Sequence, residues 1–595
     1  MIKFKHVFMI LVMVCTATSC THSFFPMYSS KYFTTDIVND TINLGDSVVI
    51  YENVVNRPDL YYKKTGKGKW QVTRLSVIPP FSFDQWKPYL SVPTDTSILV
   101  SWKDIKVEQP YVEYGKQPDK LEHKVIGQSQ LLSDETASFI LHKVHIKGLM
   151  PNQRYYYRVA GNSQVYSFIT QPKPGSCKKY RILVIGDHQM IDRSGYEWLM
   201  ASAKRTFEQK YGSLDKNLNL LLNVGDQVDA GRLQYWERDH FYKSSYIATG
   251  IPVMTTMGNH DIHEDYDMKK YSALFSYEQL NYKETGSGVD DYYVCQFGSV
   301  LLVSINTEYP HTNDQQLKWL DEVIEKADKD PSVRFIISVC HRPAYGETYS
   351  DDVCEWLRVS AYPILGKSKK HVLNVNGHHH YYHRGQEFDN NFYHVVTGGA
   401  AWSQLWSESP RQIDSDWVQK TFDYWSYVIL EFDPSTKKMQ AESYSIGHPY
   451  IAHKNVCIDR FSIDLSDSSQ PEKPELNITE IGGIDCVNAS LKNTKGYNST
   501  QLQVATDQKF EHILYSKVQH KENYFSDEGS PYYLPINQQK STGSNRFIIQ
   551  NRRQITTGNV DTTSKSKLYV RARHRNTNLQ WSEWSETLIL DVKNE

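Results

Sequence analysis

Five short polar motifs, each placed directly after an apolar run, constrain this chain more than any other feature. They are Ile185-Gly186-Asp187-His188-Gln189, Val224-Gly225-Asp226-Gln227-Val228-Asp229, Met257-Gly258-Asn259-His260-Asp261, Ser338-Val339-Cys340-His341 and Asn376-Gly377-His378-His379-His380. The intervals of 39 residues from Asp187 to Asp226, 33 from Asp226 to Asn259 and 37 from His341 to His378 each fit one strand, crossover and return strand. The interval from Asn259 to His341 is 82 residues, room for an apparent hairpin over Tyr292 to Ile305 and an amphipathic helix over Asp314 to Ala327. Leu317, Leu320, Val323 and Ile324 fall on one face of that helix. With strands at 181–185 and 218–223 and a helix around 196–209, this predicts a layered α/β (α+β) domain over residues 178–465. Such sheets place ligands at the carboxyl ends of their strands, so the five motifs are expected to converge.

Each motif alone has a plain structural explanation. Gly-Asp after a strand is a turn, Gly-Asn-His-Asp a helix cap, and an isolated histidine is most often packed or solvated. Taken together in this order, carboxylates, an amide oxygen and imidazoles at strand ends form a donor set for a pair of hard-to-borderline metal ions. No CxxC pair offers a thiolate site, and Cys177, Cys295, Cys340, Cys354, Cys457 and Cys486 are scattered.

The flanks read as β structure. Residues 87–174 alternate apolar and polar side chains in short runs, among them Ser97 to Trp102, Tyr111 to Gly115 and Tyr155 to Val159, the pattern of an antiparallel sandwich. The phrase Ile146-Lys147-Gly148-Leu149-Met150-Pro151-Asn152 before Tyr155, closed by Ser167 to Thr170, resembles a fibronectin type III module. Residues 21–86 form a small β-rich segment with strand-like pieces at Ser47 to Tyr51 and Trp70 to Leu75. A Ser/Pro/Glu stretch at 466–474 is a linker, and residues 475–595 end in Trp581-Ser582-Glu583-Trp584-Ser585 after the strand Leu568 to Arg573. This resembles the last strands of fibronectin type III modules, where Trp rings and Arg side chains stack.

The order D…GD…GNHD…H…GHxH resembles the calcineurin-like metallophosphoesterases, and with the upstream sandwich it is similar to their purple acid phosphatase branch. The resemblance implies a sandwich of mixed sheets with helices outside, flanked by fibronectin type III-like modules. It implies one metal held by Asp187, Asp226 and His380, and another held by Asp226, Asn259, His341 and His378, with the Asp226 carboxylate bridging. His260 becomes the outer-sphere acid and Asp261 the residue that orients its ring. The reaction implied is phosphoester hydrolysis by a hydroxide bridging the two ions.

Two departures stand out. Gln189 replaces the His of the usual Asp-x-His, and can still ligate through its amide oxygen; Asp229 stands where the purple enzymes carry Tyr. Without a phenolate, and with two carboxylates among the ligands, two divalent ions such as Zn, Mn or Fe are expected instead of a mixed ferric and divalent pair. Arg342 and Arg232 are placed to meet a phosphate or to serve as structural pairs. Tyr345, Tyr349, Tyr381, Tyr382, Trp402 and Trp406 follow the strand ends, and His188, His263, His379 and His383 are further pocket histidines without a role.

The first twenty residues read as an address. Lys3 and Lys5, the apolar run Val7 to Val14 and the small-residue site ending in Cys20 resemble a bacterial lipoprotein signal, making Cys20 the lipidated residue of an exported, envelope-anchored chain. With 66 Lys and Arg against 68 Asp and Glu there is no basic field to draw the chain onto nucleic acid, so the expected partners are a small phosphorylated substrate and the lipid bilayer. The function expected is an acid-phosphatase-like phosphomonoesterase. A phosphodiesterase or nucleotide pyrophosphate hydrolase, and a non-catalytic surface binding protein on the same fold, are the alternatives.

Overall fold

The computed structural model describes residues 86–104, 109–189, 193–400, 413, 415–448, 451–481, 486–492, 497–521 and 567–591, with short strands at 40–43, 60–66, 69–74, 524–527, 536–539 and 546–550. Cys20 and the leader, the Ser47 to Tyr51 run, and Trp402 and Trp406 lie outside the described residues. No helix among the described residues is long and apolar enough to cross a membrane.

Two sheets face each other in the centre. The first contains β1 (Tyr180–Ile185), β2 (Leu220–Asn223), β3 (Val253–Thr255), β11 (Trp425–Asp433), β12 (Lys438–His448) and β13 (Ile451–Asp464), in the order β3-β2-β1-β11-β12-β13. β1 pairs in parallel with β2, and β2 with β3, as the 39- and 33-residue intervals require. The second sheet contains β4 (Tyr293–Phe297), β5 (Val300–Ser304), β6 (Phe335–Val339), β7 (His371–Asn376), β8 (Tyr382–Gln386), β9 (Tyr393–Thr397) and β10 (Val418–Phe422). Its order is β4-β5-β6-β7-β9-β8-β10, with β5, β6, β7 and β9 parallel. Two short strands from beyond the linker, 524–527 and 536–539, extend this sheet past β10.

Burial on both faces explains the near-continuous apolar text of these strands. In β5, Val300 and Leu302 enter the core between the sheets, while Leu301 and Val303 pack on the outer side with helix α2 (Asp314–Lys329). That helix starts where the Asn313 side chain accepts the Gln316 N–H at 3.0 Å, and buries Trp319, Leu320, Val323, Ile324 and Ala327. Helix α1 (Arg193–Tyr211) covers the first sheet with Tyr196, Leu199, Met200, Ala203 and Phe207, a stripe at helical spacing.

The upstream module has two four-stranded antiparallel sheets, 89–91, 97–104, 138–147 and 128–133 against 166–169, 154–159, 111–115 and 123–126. It grips the central two-sheet domain at residues 240–249. Trp86 stacks on Phe241 at 3.9 Å, Tyr89 Oη meets His240 Nε2 at 3.0 Å, and Tyr157 Oη donates to the Thr249 carbonyl at 2.9 Å.

Beyond the linker, sheets of three and four strands include β14 (Ser499–Ala505) and β15 (Lys567–Arg575). The Trp-Ser pairs here are structural. Arg571 lies between Phe510 and Trp584 at 3.9 and 4.0 Å, and Arg573 between Trp581 and Trp584 at 4.0 and 4.5 Å. The Ser582 and Ser585 N–H groups donate to the His574 and Ala572 carbonyls, tying the motif to β15. Cys177, Cys295, Cys340, Cys354 and Cys457 are unpaired.

Candidate metal centre

The carboxyl ends of β1, β2, β3, β6 and β7 meet at one point. Asp187, Asp226 and His380 form one triad of donors and Asp226, His341 and His378 a second, each with ligand atoms within 4.8 Å of one another, and Asp226 is common to both. Asn259 joins the second triad, its Oδ1 lying 3.1 Å from His341 Nε2.

The backbone is strained to achieve this. Asp187, Asp226 and His378 have φ of 58°, 49° and 69°, the left-handed region that costs a non-glycine residue of order 1 kcal/mol or more. Two glycines make room. A Cβ on Gly258 would lie 2.2 Å from Asp226 Oδ1, and one on Gly225, at φ 98°, would lie 2.3 Å from His341 Nδ1.

Hydrogen bonds aim the donors. His341 Nδ1 donates to the Val224 carbonyl at 2.9 Å, which turns Nε2 to Asp226 Oδ2 at 3.2 Å. Asp187 Oδ1 accepts the His378 N–H at 2.7 Å, and Asp226 Oδ1 accepts the His260 N–H at 2.9 Å. Asp187 Oδ2 is buried and has no hydrogen-bond donor. Burial pushes the Asp187 carboxyl up, whereas the His341 imidazole holds Asp226 well below the usual range in spite of burial. Burial opposes protonation of His341, but Asp226 outweighs it and raises the imidazole to about 10. A cation and that proton compete for one lone pair, so two buried carboxylates, an amide oxygen and three imidazoles fit a pair of metal ions.

Gln189 is present at the first triad. Its amide nitrogen lies 3.3 Å from Asp226 Oδ2 and 3.5 Å from His380 Nε2, and its Oε1 is buried without a hydrogen-bond partner. The amide end facing the triad is thus the donor, not the oxygen that ligation requires.

Asp261 corrects an expectation. It does not reach the His260 ring: its oxygens accept the N–H groups of Gly258, Asp226 and Gln227 and the Gln227 side-chain amide, at 2.8 to 3.1 Å. It therefore holds the two motif loops together beneath Asp226. The ring of His260 is oriented by Asp229, whose carbonyl accepts from Nδ1 at 2.8 Å and whose carboxylate lies 3.7 Å away. This leaves Nε2 of His260 for the cleft.

Arg342 and Arg232 are both structural pairs. Arg342 is held by Glu308 at 2.9 Å and Asp352 at 2.6 Å, and its Nη1 lies 2.9 Å from His378 Nε2; Arg232 pairs with Glu264. Asp352, 2.9 Å from His378, carries no sequence signal that separates it from neighbouring loop residues. The remaining histidines divide by surroundings. His188 and His379 are buried and pushed down by burial, His379 between Tyr381 and the Asp352 carbonyl; His383 meets His394, and His263 is exposed. Tyr345 and Tyr382 donate to Glu387 and Asp459 inside the protein, Tyr381 lies against His379, and Tyr349 contacts the same ring.

Fold and donor geometry define a metallophosphoesterase domain. Residues 180–382 match the calcineurin-like phosphoesterase family and residues 86–170 match the purple acid phosphatase N-terminal domain, so the two matches follow one another along the chain. Purple acid phosphatase 21 of Arabidopsis thaliana is 29% identical over 244 residues, 39% of this chain and 51% of that protein. Acid phosphatase type 7 of Mus musculus is 26% identical over 276 residues, 43% of this chain and 58% of that protein. The chain thus spans little more than half the length of these curated relatives. The solved structure of purple acid phosphatase PPD1 from yellow lupin (Lupinus luteus) shares the fold, with a TM-score of 0.51 at 17% identity over 69% of this chain and 80% of that one.

Proposed function

We propose that this protein hydrolyses phosphoesters at a dinuclear centre, with monoesters as the first substrate class. The observation that carries the reading is the pair of donor triads sharing Asp226, beside a histidine whose free Nε2 faces a cleft. Two cations bound there supply Lewis acidity, lowering the pKa of water and stabilising charge on phosphoryl oxygens. Asp187, Asp226, Asn259, His341, His378 and His380 would hold them; Gln189 would ligate only with its amide turned over. Asp261 fixes the loops that present Asp226. His260, with Nδ1 anchored on the Asp229 carbonyl, is placed to give a proton from Nε2 to the departing alkoxide.

A second reading has its own support. Glu308 and Asp352 neutralise Arg342 at the rim, which favours a singly charged diester over a dianionic monoester. We also infer export and a lipid anchor at Cys20, supported by the Lys3, Lys5 and Val7 to Val14 leader pattern. Elemental analysis of the chain produced from residue 21, paired with assays on p-nitrophenyl phosphate and its bis-ester, tests the catalytic reading. About two Zn, Mn or Fe equivalents with turnover abolished by chelation are expected. Metal-free, inactive protein that no added metal revives would leave the binding-protein alternative, and a strong preference for the bis-ester would replace the monoester by the diester.

A further inference from the structure

The cleft beside His260 has a volume of about 700 Å³, and its walls come from three segments, 259–266, 307–312 and 342–356. Two tyrosines on it are unusual. Tyr309 is 87% exposed and Tyr266 74%, the most exposed large side chains with apolar character among those described. Single apolar residues scattered over a surface need no explanation, but two rings from different segments on one cleft are not scattered. Tyr266 also ends a line of rings that begins at the centre. His260 meets His263 edge-to-face at 6.4 Å and 82°, and His263 meets Tyr266 at 6.2 Å and 68°.

Charge decides what kind of group this line accepts. Among the described residues Arg342 is the one Lys or Arg lining the cleft and is held by Glu308 and Asp352, while Glu355 adds another carboxylate. A leaving group bearing further phosphates would meet these carboxylates, with no free guanidinium among the described lining residues to answer them. A neutral planar ring would find π faces at the end of the cleft that starts at the leaving-group side, where His260 stands.

We propose that Tyr266 and Tyr309 form a stacking subsite for the leaving group, selecting phosphoesters whose alcohol carries a planar aromatic ring, aryl or nucleoside. This rests on the phosphoesterase reading and deepens it. Stacking of a base on an aromatic side chain is sequence-tolerant because every base has a π face, so the subsite selects a ring without selecting its pattern of polar groups.

The test compares kcat/KM of the metal-loaded protein on α-naphthyl phosphate, adenosine 5′-phosphate and glycerol 3-phosphate, in the parent and in Tyr266→Ala, Tyr309→Ala and the two Tyr→Phe variants. The ring-to-glycerol ratio is expected to fall about five- to tenfold in each Ala variant and to stay within about twofold in the Phe variants. The naphthyl and adenosine arms separate an aryl from a nucleoside ring. A ratio unmoved by both Ala variants, or an equal loss on all three esters, overturns the subsite. Calorimetric binding of phenylphosphonate against methylphosphonate adds a readout that needs no turnover. Glycerol phosphate hydrolysis without phenyl preference sinks the subsite alone, and phenyl preference without any hydrolysis sinks the phosphoesterase reading alone.

Discussion

Two clusters in this molecule crowd ionisable side chains against buried neighbours, and they are resolved in opposite ways. At the seam between the last module and the catalytic domain, Arg575 is fully buried and its five N–H donors meet five acceptors: the Leu579, Glu387 and Asn390 carbonyls, Gln386 Oε1 and Asn391 Oδ1, at 2.7 to 3.2 Å. At the strand ends, acceptors predominate. Asp187 Oδ2 has no donor, three residues sit in left-handed backbone, and the pull of Asp226 on a proton falls on His341. A cluster matched internally builds structure; a cluster with convergent lone pairs and stored strain is built for a cation.

The largest effect is expected at the shared carboxylate. Asp226→Asn keeps size and removes the charge common to both triads. Loss of a partner that merely orients a ligand costs about 10- to 100-fold in metal affinity or activity, so loss of the shared ligand is expected to cost more than about 100-fold, with metal content reduced. His260→Ala separates chemistry from binding. It is expected to keep both metals, because only the His260 backbone N–H touches Asp226, and to lower kcat about 10²- to 10⁴-fold. Unchanged kcat on an ester with a poor leaving group would remove His260 from proton transfer.

The module seam should respond in stability. Arg575→Met leaves the Glu387 and Asn390 carbonyls and Gln386 without their donor, at about 1–3 kcal/mol for each polar group left buried and unpaired. A lower midpoint in thermal unfolding is expected while the metal content of the folded protein is kept. Metal loss without a change in midpoint would mean that the two clusters are coupled in a way their contacts do not show.

What was legible in the sequence follows the same division. The strand ends were readable because period and spacing fix them: intervals near 35 residues became parallel neighbours, and Asp187, Asp226, His341, His378 and His380 came together from four different strands. Contacts made within loops were not. Asp261 reads as a partner for the adjacent His260, yet a carboxylate at the first turn of a four-residue helix is taken by the N–H groups of the neighbouring loop, and a backbone carbonyl, that of Asp229, orients the ring. No side-chain pattern marks a carbonyl. Phosphate binding and structural pairing both stayed open for Arg342 because its partners Glu308 and Asp352 lie 34 and 10 residues away on loops without periodicity. The arginine and tryptophan ladder was readable as structure, since alternate residues of one strand must stand on one face.

The smallest effect comes from a third seam, where one cation meets a neutral partner. Lys143 of the upstream module donates to Ser276 Oγ at 2.8 Å, and burial lowers its ammonium to about 8, with Asp290 and Glu278 opposing the fall. Because the folded pKa lies below the unfolded value near 10.5, the unfolded chain binds more protons between about pH 8 and pH 10.5, and stability rises with pH across that window. Below about pH 8 the cost of burying the charge is fully present. Lys143→Met removes it, so the variant is expected to be more stable than the parent at pH 7, by about 3 kcal/mol at most and with a correspondingly higher unfolding midpoint, the two curves converging as pH approaches 10.5. Thermal melts at pH 7, 9 and 10.5 measure this. A difference that does not shrink with pH would mean that Met gains by packing, and that the Asp290 and Glu278 carboxylates already compensate the Lys143 charge as fully as the carbonyls compensate Arg575.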